Sequence, residues 1–313
     1  MNQLSFDELT DQMTNLYRES RYADALEIVE QNAGRFPEHS ARTTFWKMCL
    51  LSLCGRSNDV VSVFQKGLDA GLWWSHIRFQ DPDLNAVRDL AEFKRLMAIS
   101  LEKYQEARTH TERDQVILLP GAPESGSYPL LIALHGGGGK KESNLEYWEV
   151  ARQKGWLVLS PQSTQPVDPG AYCWDDSEQG LADILFYFEE VSKEYPIDPQ
   201  RVVIAGFSQG SGMAIYAALG EIVNACGFLA IGTYLADPSS LRPLAKQAKS
   251  VRGYFITGEQ DRFLDRIREI QKILKQNNIP FTEESYSDLG HEFPPHFGSS
   301  FDKAIDFIFK EAQ

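Results

Sequence analysis

Hydrophobic residues recur three and four positions apart over the first hundred residues, a spacing that places them on one face of a helix. Leu9, Met13 and Leu16 form the first such stripe, and the segment YADALEIV carries the second. Further stripes lie in ARTTFWKMCLLSL, DVVSVFQKGL and DPDLNAVRDLAEFKRLMAISLEKY. We divide the last segment into two helices, over 84–90 and 93–97. Breaks at NAGRFPEHS and CGRSND separate the stripes, so the pattern predicts stacked helical hairpins.

The pattern changes after the polar stretch ARTHTERDQ, residues 107–115. Short apolar or alternating runs follow, namely VILLP, YPLLIALHG, GWLVLSPQS, RVVIAGFSQG, CGFLAIGTY, RGYFITGEQD and FTEESYSDLG. Helical patterns such as EQGLADILFYFEEVSKEY and LDRIREIQKILKQ lie between them. Strands that alternate with helices predict an α/β domain with a mainly parallel sheet. We therefore place an α-helical domain at residues 1–111 and an α/β domain at residues 112–313.

One strand-like run ends in a serine between two glycines, in the pattern Gly206-Phe207-Ser208-Gln209-Gly210. A short apolar strand precedes the serine, and a helical stretch rich in alanine follows it. A G-x-S-x-G motif in this context is a sharp turn that presents the serine hydroxyl at the end of the strand. The hydroxyl is a weak nucleophile alone, so the motif predicts catalysis only with a base and an acid.

Those partners follow two later strand-like runs. Asp261 comes after YFIT, and His291 comes after SYSD, so the chain order is Ser208, Asp261, His291. Catalytic groups collect at the carboxyl ends of parallel strands, and this order is typical of the α/β-hydrolase fold. An imidazole can take the serine proton and return it to a leaving group, while the carboxylate orients the ring. Asp261, Ser208 and His291 are therefore our predicted catalytic triad.

A serine nucleophile also needs N–H donors for the oxyanion that forms on the substrate carbonyl. The backbone N–H of Gln209, at the start of a helix, is one predicted donor. The run HGGGG supplies the second donor, for which Gly137 is our first choice and Gly138 our second. We also assign Gly138 to the substrate site. We expect His135 to shape this glycine loop rather than carry protons.

Three other residues are rivals for triad positions. His296 follows two prolines rather than a strand end, and Asp265 would lie inside a helix. Asp288 lies in or near the last strand. Their positions make them weaker candidates than His291 and Asp261.

The first part of the chain resembles a tetratricopeptide repeat. In the segment YRESRYADALEIVEQNAGRFPEH, Tyr22, Ala25 and Pro37 stand at matching positions of the repeat. Such repeats can bind peptides or mediate self-association. The resemblance therefore implies a TPR-like domain that binds a protein partner, a second copy, or neither.

Residues from about 115 to 313 resemble serine α/β-hydrolases of the phospholipase/carboxylesterase group, which includes acyl-protein thioesterases and dienelactone-hydrolase-like enzymes. The segments that carry the resemblance are LLIALHGGGG, LSPQS, YCWDD, DPQRVVIAGFSQGSGMA, ITGEQD and GHEFP. It implies that Ser208, Asp261 and His291 are the triad and that Trp174 and Asp175 line the substrate site. True dienelactone hydrolases use cysteine, so Ser208 argues against that activity.

The α/β part has few strands before YPLLIALHG, and the insertion between LAIGTY and RGYFIT is too short for a lid. We therefore expect a minimal α/β-hydrolase fold without a cap, preceded by the helical domain. We also expect the helical domain to pack near the catalytic face, with Trp73 and Trp74 as candidate contact residues.

Composition narrows the function classes further. The net charge of −13 argues against nucleic-acid binding, and no apolar stretch is long enough to span a membrane. The start of the sequence lacks the features of a secretory signal, so we expect a cytoplasmic protein. The four cysteines show no C-x-x-C spacing, and no cluster has metal-ligand spacing, so we expect free thiols, no metal and no cofactor.

The sequence thus predicts a serine hydrolase that cleaves carboxylic esters or thioesters of small to medium acyl groups. A serine peptidase is one alternative, because the same triad can cleave amides. A TPR-type interaction scaffold with an inactive hydrolase domain is another. The complete triad favours the enzyme.

Overall fold

A computed structural model describes residues 4–123, 126–248 and 251–310. The chain divides into two compact units. The first contains residues 1–111 together with 166–171, and the second contains residues 112–165 and 172–313. The extreme ends of both predicted domains, 1–3 and 311–313, lie outside the described residues.

The first unit is built from helices. Their bounds are α1 Phe6–Arg18, α2 Tyr22–Asn32, α3 Ser40–Leu53, α4 Ser57–Asp69, α5 His76–Phe79 and α6 Ala91–Thr109. Short 3-10 turns lie at Ala33–Arg35, Pro37–His39 and Pro82–Leu84. Ser5 begins α1 with a capping box, because its hydroxyl accepts from the N–H of Glu8 while the Glu8 carboxylate accepts from the N–H of Ser5. Consecutive helices from α1 to α4 pack against each other, as the hydrophobic stripes predict.

The predicted helix over 84–90 is wrong. Leu84 ends a 3-10 turn, the following residues form turns, and Leu90 has an extended backbone that leads into α6. Leu84 and Val87 are nevertheless fully buried, which explains the apolar spacing that suggested a helix. Pro82 and the carboxylate of Asp81, which accepts from the N–H of Asp83, favour a tight turn here.

Trp74 belongs to the interior of the first unit, so its prediction as a contact residue of the helical domain is wrong. Its side chain is fully buried against Phe64, and its indole N–H donates to the carbonyl of Ala41 at 3.2 Å. Its backbone N–H donates to the hydroxyl of Ser100 at 2.7 Å. A tryptophan with a satisfied N–H is a stable core residue.

Six residues from the second half of the chain, 166–171, complete the first unit. They include the short strand β4 Pro166–Asp168, numbered in chain order with the strands below. The carbonyl of Val167 accepts from the N–H of Ser75 at 2.8 Å. The carboxylate of Asp168 is buried and accepts from Nε and Nη2 of Arg78 at 3.0 and 2.7 Å. A buried ion pair of this kind fixes the segment in one position.

The second unit is an α/β structure. Its strands are β1 Gln115–Leu118, β2 Tyr128–Leu134, β3 Leu157–Pro161, β6 Ile197–Phe207, β7 Gly227–Ile231, β8 Arg252–Gly258 and β9 Phe281–Tyr286. The short strand β5 Ala171–Tyr172 pairs with β4. The helices are α7 Leu145–Gln153, α8 Ser177–Glu194, α9 Gln209–Leu219, α10 Leu241–Gln247, α11 Leu264–Gln276 and α12 Phe297–Ile308.

The predicted strands join one sheet in the order β1-β3-β2-β6-β7-β8-β9. β1 is antiparallel to β3, and every other pair is parallel. This is an α/β-hydrolase-like sheet with a shortened start. In the described chain between β7 and β8, the secondary structure consists of a 3-10 turn at Pro238–Ser240 and α10.

Helices cover both faces of the sheet. In β2, Leu130 and Ile132 face one apolar cluster, while Leu131 and Ala133 face the other. This explains why the strands appear as continuous apolar runs in the sequence. The parallel strands end together at one edge, where the predicted catalytic residues follow them.

Among the described residues, no helix has both the length and the apolar character needed to cross a bilayer. All four cysteines are free; Cys49 and Cys173 are buried, while Cys54 and Cys226 are partly buried.

Candidate active site

Ser208 lies at a strained turn between β6 and α9. Its backbone has φ 54° and ψ −119°, which is unfavourable for a residue with a side chain. Its N–H donates to the carbonyl of Ile231 at 2.9 Å, and its carbonyl accepts from the N–H of Tyr234 at 3.0 Å. These bonds hold the strained conformation by tying it to the end of β7.

The two glycines of the motif are required by close backbone contacts. A methyl group on Gly206 would lie 2.4 Å from the carbonyl carbon of Gly210. One on Gly210 would lie 2.3 Å from the carbonyl oxygen of His135 and 2.5 Å from that of Leu134. The turn therefore packs directly on the end of β2, where the glycine loop begins.

The structure brings Ser208, His291 and Asp261 into one hydrogen-bonded chain. The Oγ of Ser208 lies 2.8 Å from Nε2 of His291, and Nδ1 of His291 lies 2.8 Å from Oδ2 of Asp261. Because an ionised carboxylate can only accept, Nδ1 carries the proton and Nε2 is free to accept from the serine. The other carboxylate oxygen of Asp261 accepts from the N–H of Phe263 at 2.8 Å. Asp261 is thereby fixed in orientation and buried.

The loops that carry the acid and the base pack tightly on the sheet edge. A methyl group on Gly258, the last residue of β8, would lie 2.2 Å from the carbonyl oxygen of Leu289, so the histidine loop crosses directly over this strand end. The ring of His291 is flanked by Phe207 at 4.9 Å and Phe263 at 5.0 Å between ring centroids. These aromatic contacts limit rotation of the imidazole.

The rival residues stand apart from this chain of bonds. Asp265 lies in the first turn of α11, Asp288 follows β9, and His296 precedes α12. Within the described residues, no hydrogen bond joins any of them to Ser208 or His291.

The glycine loop after β2 is held by the segment around Tyr172. The N–H of Gly138 donates to the carbonyl of Tyr172 at 2.7 Å, and the N–H of Tyr172 donates to the carbonyl of Gly139 at 2.9 Å. Gly138 is thus engaged in the fold, which weakens it as an oxyanion donor. For the N–H groups of Gly137 and Gln209, by contrast, the described residues provide no acceptor.

His135 has a structural role at the start of this loop. Its Nδ1 lies 2.9 Å from the carbonyl oxygen of Gly136, and its Nε2 accepts from the N–H of Ser163 at 3.3 Å. Complete burial lowers the pKa of His135 to about 4, so the ring is neutral near pH 7. A neutral ring with both nitrogens occupied links the glycine loop to the chain after β3.

Trp174 and Asp175 line a pocket of about 200 Å³ that also includes Gln209, the neighbour of the serine in the chain. The other lining residues are Ser177, Met213, Tyr216, Leu235, Ala236, Asp237 and Ser240. The indole N–H of Trp174 donates to the carbonyl of His135 at 2.9 Å. The pocket combines an apolar interior with a few polar groups, as small-molecule sites commonly do.

Two features were not predicted from the sequence. The first is the side chain of Gln209, which bonds to the Trp174–Asp175 segment; no local pattern indicates this contact, which spans 35 positions to Trp174. The second, in the first unit, is a group formed by Cys49, Asp81 and Asp83, whose potential ligand atoms lie within 4.8 Å of one another. Burial raises the pKa of the Cys49 thiol, which keeps it protonated.

Both parts of the chain match known family models. Residues 176–311 match the model described as Phospholipase/Carboxylesterase. Residues 5–108 match the model described as A/B hydrolase-like, N-terminal domain. The description of the second model does not mention tetratricopeptide repeats, so the TPR-like assignment stays a prediction.

A curated relative is similar over about half of the chain. The bifunctional acetylxylan esterase/xylanase XynS20E of Neocallimastix patriciarum is 28% identical over 179 residues, which is 55% of this chain. The chain spans only 24% of the length of that relative.

Solved structures resemble the fold. An uncharacterized protein from Bacillus cereus ATCC 10987 is 22% identical, with a TM-score of 0.55, over 98% of this chain and all of that chain. A ferulic acid esterase is 19% identical, with a TM-score of 0.51, over 63% of this chain and 91% of its own. The fluorophosphonate-binding serine hydrolase F of Staphylococcus aureus is 16% identical, with a TM-score of 0.50, over 63% and 92%. At these identities the likeness establishes the fold alone.

Proposed function

We propose that the chain is a serine hydrolase of carboxylic esters, because residues 176–311 match the family model described as Phospholipase/Carboxylesterase. It acts on small to medium acyl groups through an acyl-enzyme intermediate, with Ser208 as nucleophile, His291 as base and Asp261 as the orienting acid. The proposal includes thioesters, because Ser208 would attack a carbonyl carbon in the same way as in an ester.

The observation that carries the proposal is the continuous chain of two 2.8 Å contacts from Ser208 through His291 to Asp261. A scaffold protein would have no need to keep Ser208 in a strained conformation that presents its hydroxyl to an imidazole. The geometry is that of a nucleophile with its base in hydrogen-bond reach and the base held by a third group.

The oxyanion donors in this proposal are the backbone N–H groups of Gly137 and Gln209. Neither has an acceptor among the described residues, so both are available to a substrate. The N–H of Gln209 also stands at the first position of α9, where the positive end of the helix dipole favours a negative charge. Donors that are fixed before the reaction stabilise the transition state without reorganisation.

The reaction proceeds in two balanced halves. The Oγ of Ser208 forms a bond to the carbonyl carbon while its proton moves to Nε2 of His291. The tetrahedral intermediate then collapses, the bond to the alcohol or thiol breaks, and His291 gives that group its proton. In the second half a water molecule loses a proton to His291 and attacks the acyl carbon. The acid leaves and Ser208 regains its proton.

The pocket that contains Trp174 and Asp175 is the proposed binding place for part of the ester. Its volume of about 200 Å³ suits a small or medium group rather than a long acyl chain. The names of the relatives suggest acetyl and feruloyl esters as the first natural substrates to try. We place the enzyme in the cytoplasm, without cofactor, and assign a role in self-association or partner binding to the helical unit.

The test is hydrolysis of p-nitrophenyl esters from acetate to decanoate by the wild type and by Ser208→Ala, with methyl ferulate and acetylated xylan as additional substrates. Loss of a triad member lowers kcat by roughly four to six orders of magnitude in such enzymes. We expect a loss of this order for Ser208→Ala and for His291→Ala. The optimum of the series reports the size of the acyl site.

A matched control is His296→Ala, which removes the rival histidine, for which the described residues show no hydrogen bond to Ser208. It should retain activity. A fluorophosphonate probe should label the wild type and not Ser208→Ala. Equal esterase activity in the wild type and Ser208→Ala would refute the proposal, and cleavage of p-nitroanilides in preference to esters would make the enzyme a peptidase.

A further inference from the structure

The side chain of Gln209 is bound at both ends of its amide. Its Oε1 accepts from the backbone N–H of Trp174 at 3.0 Å, and its Nε2 donates to Oδ1 of Asp175. An amide can satisfy a donor and an acceptor together only in one orientation. The glutamine is therefore fixed against the segment 172–175.

The same side chain lies against the glycine loop. A methyl group placed on Gly137 would lie 2.9 Å from Oε1 of Gln209 and 3.5 Å from its Cδ. Gly137 thus rests directly on the glutamine amide. Its neighbour Gly138 is tied to Tyr172 by the 2.7 Å bond described above. The segment 172–175 is consequently bonded to the glycine loop at one end and to Gln209 at the other.

We propose that the Gln209 side chain is a positioning residue that sets the distance between the two oxyanion donors. One donor, the N–H of Gln209, lies at the start of α9, and the other, the N–H of Gly137, lies on a separate loop. The glutamine amide connects these two elements by packing on Gly137 and by bonding to the segment that holds Gly138. The inference rests on the proposed function, because it assumes that these N–H groups bind an oxyanion.

This role predicts a particular kinetic signature. The donors act mainly on the tetrahedral intermediate, so their misplacement lowers kcat more than it raises KM. Complete loss of one oxyanion donor costs roughly 100- to 1,000-fold in kcat. Displacement of a donor that is still present should cost less, so we expect a loss of about 10- to 100-fold in kcat that exceeds any rise in KM.

Gln209→Glu is the main test variant. It keeps the length of the side chain and the acceptor for Trp174, but it places a carboxylate against the carboxylate of Asp175. The double variant Gln209→Glu/Asp175→Asn restores a donor opposite an acceptor, because the asparagine amide can donate to the glutamate. We expect kcat on p-nitrophenyl acetate to fall in the single variant and to recover at least partly in the double variant.

Two further variants separate positioning from stability. Gln209→Met removes both hydrogen bonds without adding a charge, so it should show the same loss of kcat with a melting temperature close to that of the wild type. Gln179→Glu is the matched control, because Nε2 of Gln179 donates to Oδ1 of Asp183 at 3.0 Å and, among the described residues, no hydrogen bond joins Gln179 to the glycine loop. The same substitution there should leave kcat unchanged even if it lowers the melting temperature.

The outcomes distinguish this inference from the proposed function. If the wild type shows no hydrolysis that depends on Ser208, both are refuted. If that hydrolysis is present but Gln209→Glu and Gln209→Met keep kcat within twofold, only the positioning role is refuted. A double variant no more active than Gln209→Glu would also refute it, since the loss would then not arise from the contact with Asp175.

Discussion

The ion pair between Arg78 and Asp168 allows a quantitative test of what holds residues 166–171 in the helical unit. The side chain of Asp168 is only 2% exposed and that of Arg78 is 25% exposed. Replacement of Arg78 by methionine leaves the carboxylate buried without its partner. Breaking a buried pair in this way costs about 3–5 kcal/mol. Because water reaches part of Arg78, we expect the lower end, about 3 kcal/mol.

Urea unfolding followed by circular dichroism at 222 nm measures this loss. With an m value of about 2 kcal/mol/M, the midpoint for the helical unit should fall by roughly 1.5 M in Arg78→Met. Arg78→Met/Asp168→Asn should recover part of that fall, because a buried amide is less costly to leave unpaired than a buried charge. Arg56→Met is the matched control, since its pair with Asp59 is half exposed and should contribute little.

The result that would refute this reasoning is a midpoint for Arg78→Met no lower than that of Arg56→Met. It would mean that water or another group compensates the carboxylate of Asp168. Failure of the Asp168→Asn substitution to recover stability would show instead that lost packing of Arg78 over the Phe45 ring, 5.2 Å away, dominates.

Three further predictions concern the second unit. Burial lowers the pKa of His135 to about 4, so on acidification the unfolded chain binds a proton at this histidine before the folded chain does. The free energy of unfolding should therefore be highest above pH 6.5 and fall by about 3 kcal/mol towards pH 4. In His135→Gln, the urea midpoint should depend less steeply on pH across this range. Gly210→Ala should lower the melting temperature, because the added methyl group would meet two carbonyl oxygens. This clash should outweigh the gain of up to about 1 kcal/mol in helix propensity. Gly34→Ala is the control and should not lower the melting temperature, since there is open space around Gly34. A chain of residues 112–313 alone lacks the partners of Val167 and Asp168, so it should unfold at a lower temperature than the full chain; an equal melting temperature would contradict this.

The sequence predicted the strands, whose pattern is local, and the proposed catalytic residues, which follow the ends of strands. The inner strands β2, β7 and β8 are buried on both faces and appear as apolar runs, and all strands of the sheet were recognised as apolar or alternating runs. Ser208, Asp261 and His291 follow three such runs, and parallel strands end at one edge. Their approach to within hydrogen-bond distance was therefore an expected consequence of the fold.

What the sequence did not predict depends on contacts between distant residues. Pro166–Asp168 has no pattern that assigns it to the helical unit, because its partners Ser75 and Arg78 lie 90 or more residues earlier. Trp74 was predicted as a contact residue of the helical domain, but Ala41 and Ser100, which are distant in the sequence, form hydrogen bonds with it inside the first unit. The predicted helix over 84–90 failed because buried residues at helical spacing also occur in a sequence of tight turns.

The strained backbone of Ser208 lowers thermal stability, while the proposed activity requires a serine at this position. A non-glycine residue held in such a conformation costs about 1–3 kcal/mol, and glycine would adopt it with less strain. A library screened only for resistance to heat should therefore enrich Ser208→Gly and lose the proposed nucleophile. Evolution towards a hotter environment has to gain its stability elsewhere in the chain, so this turn is a position where the best sequence for folding and the best sequence for chemistry differ.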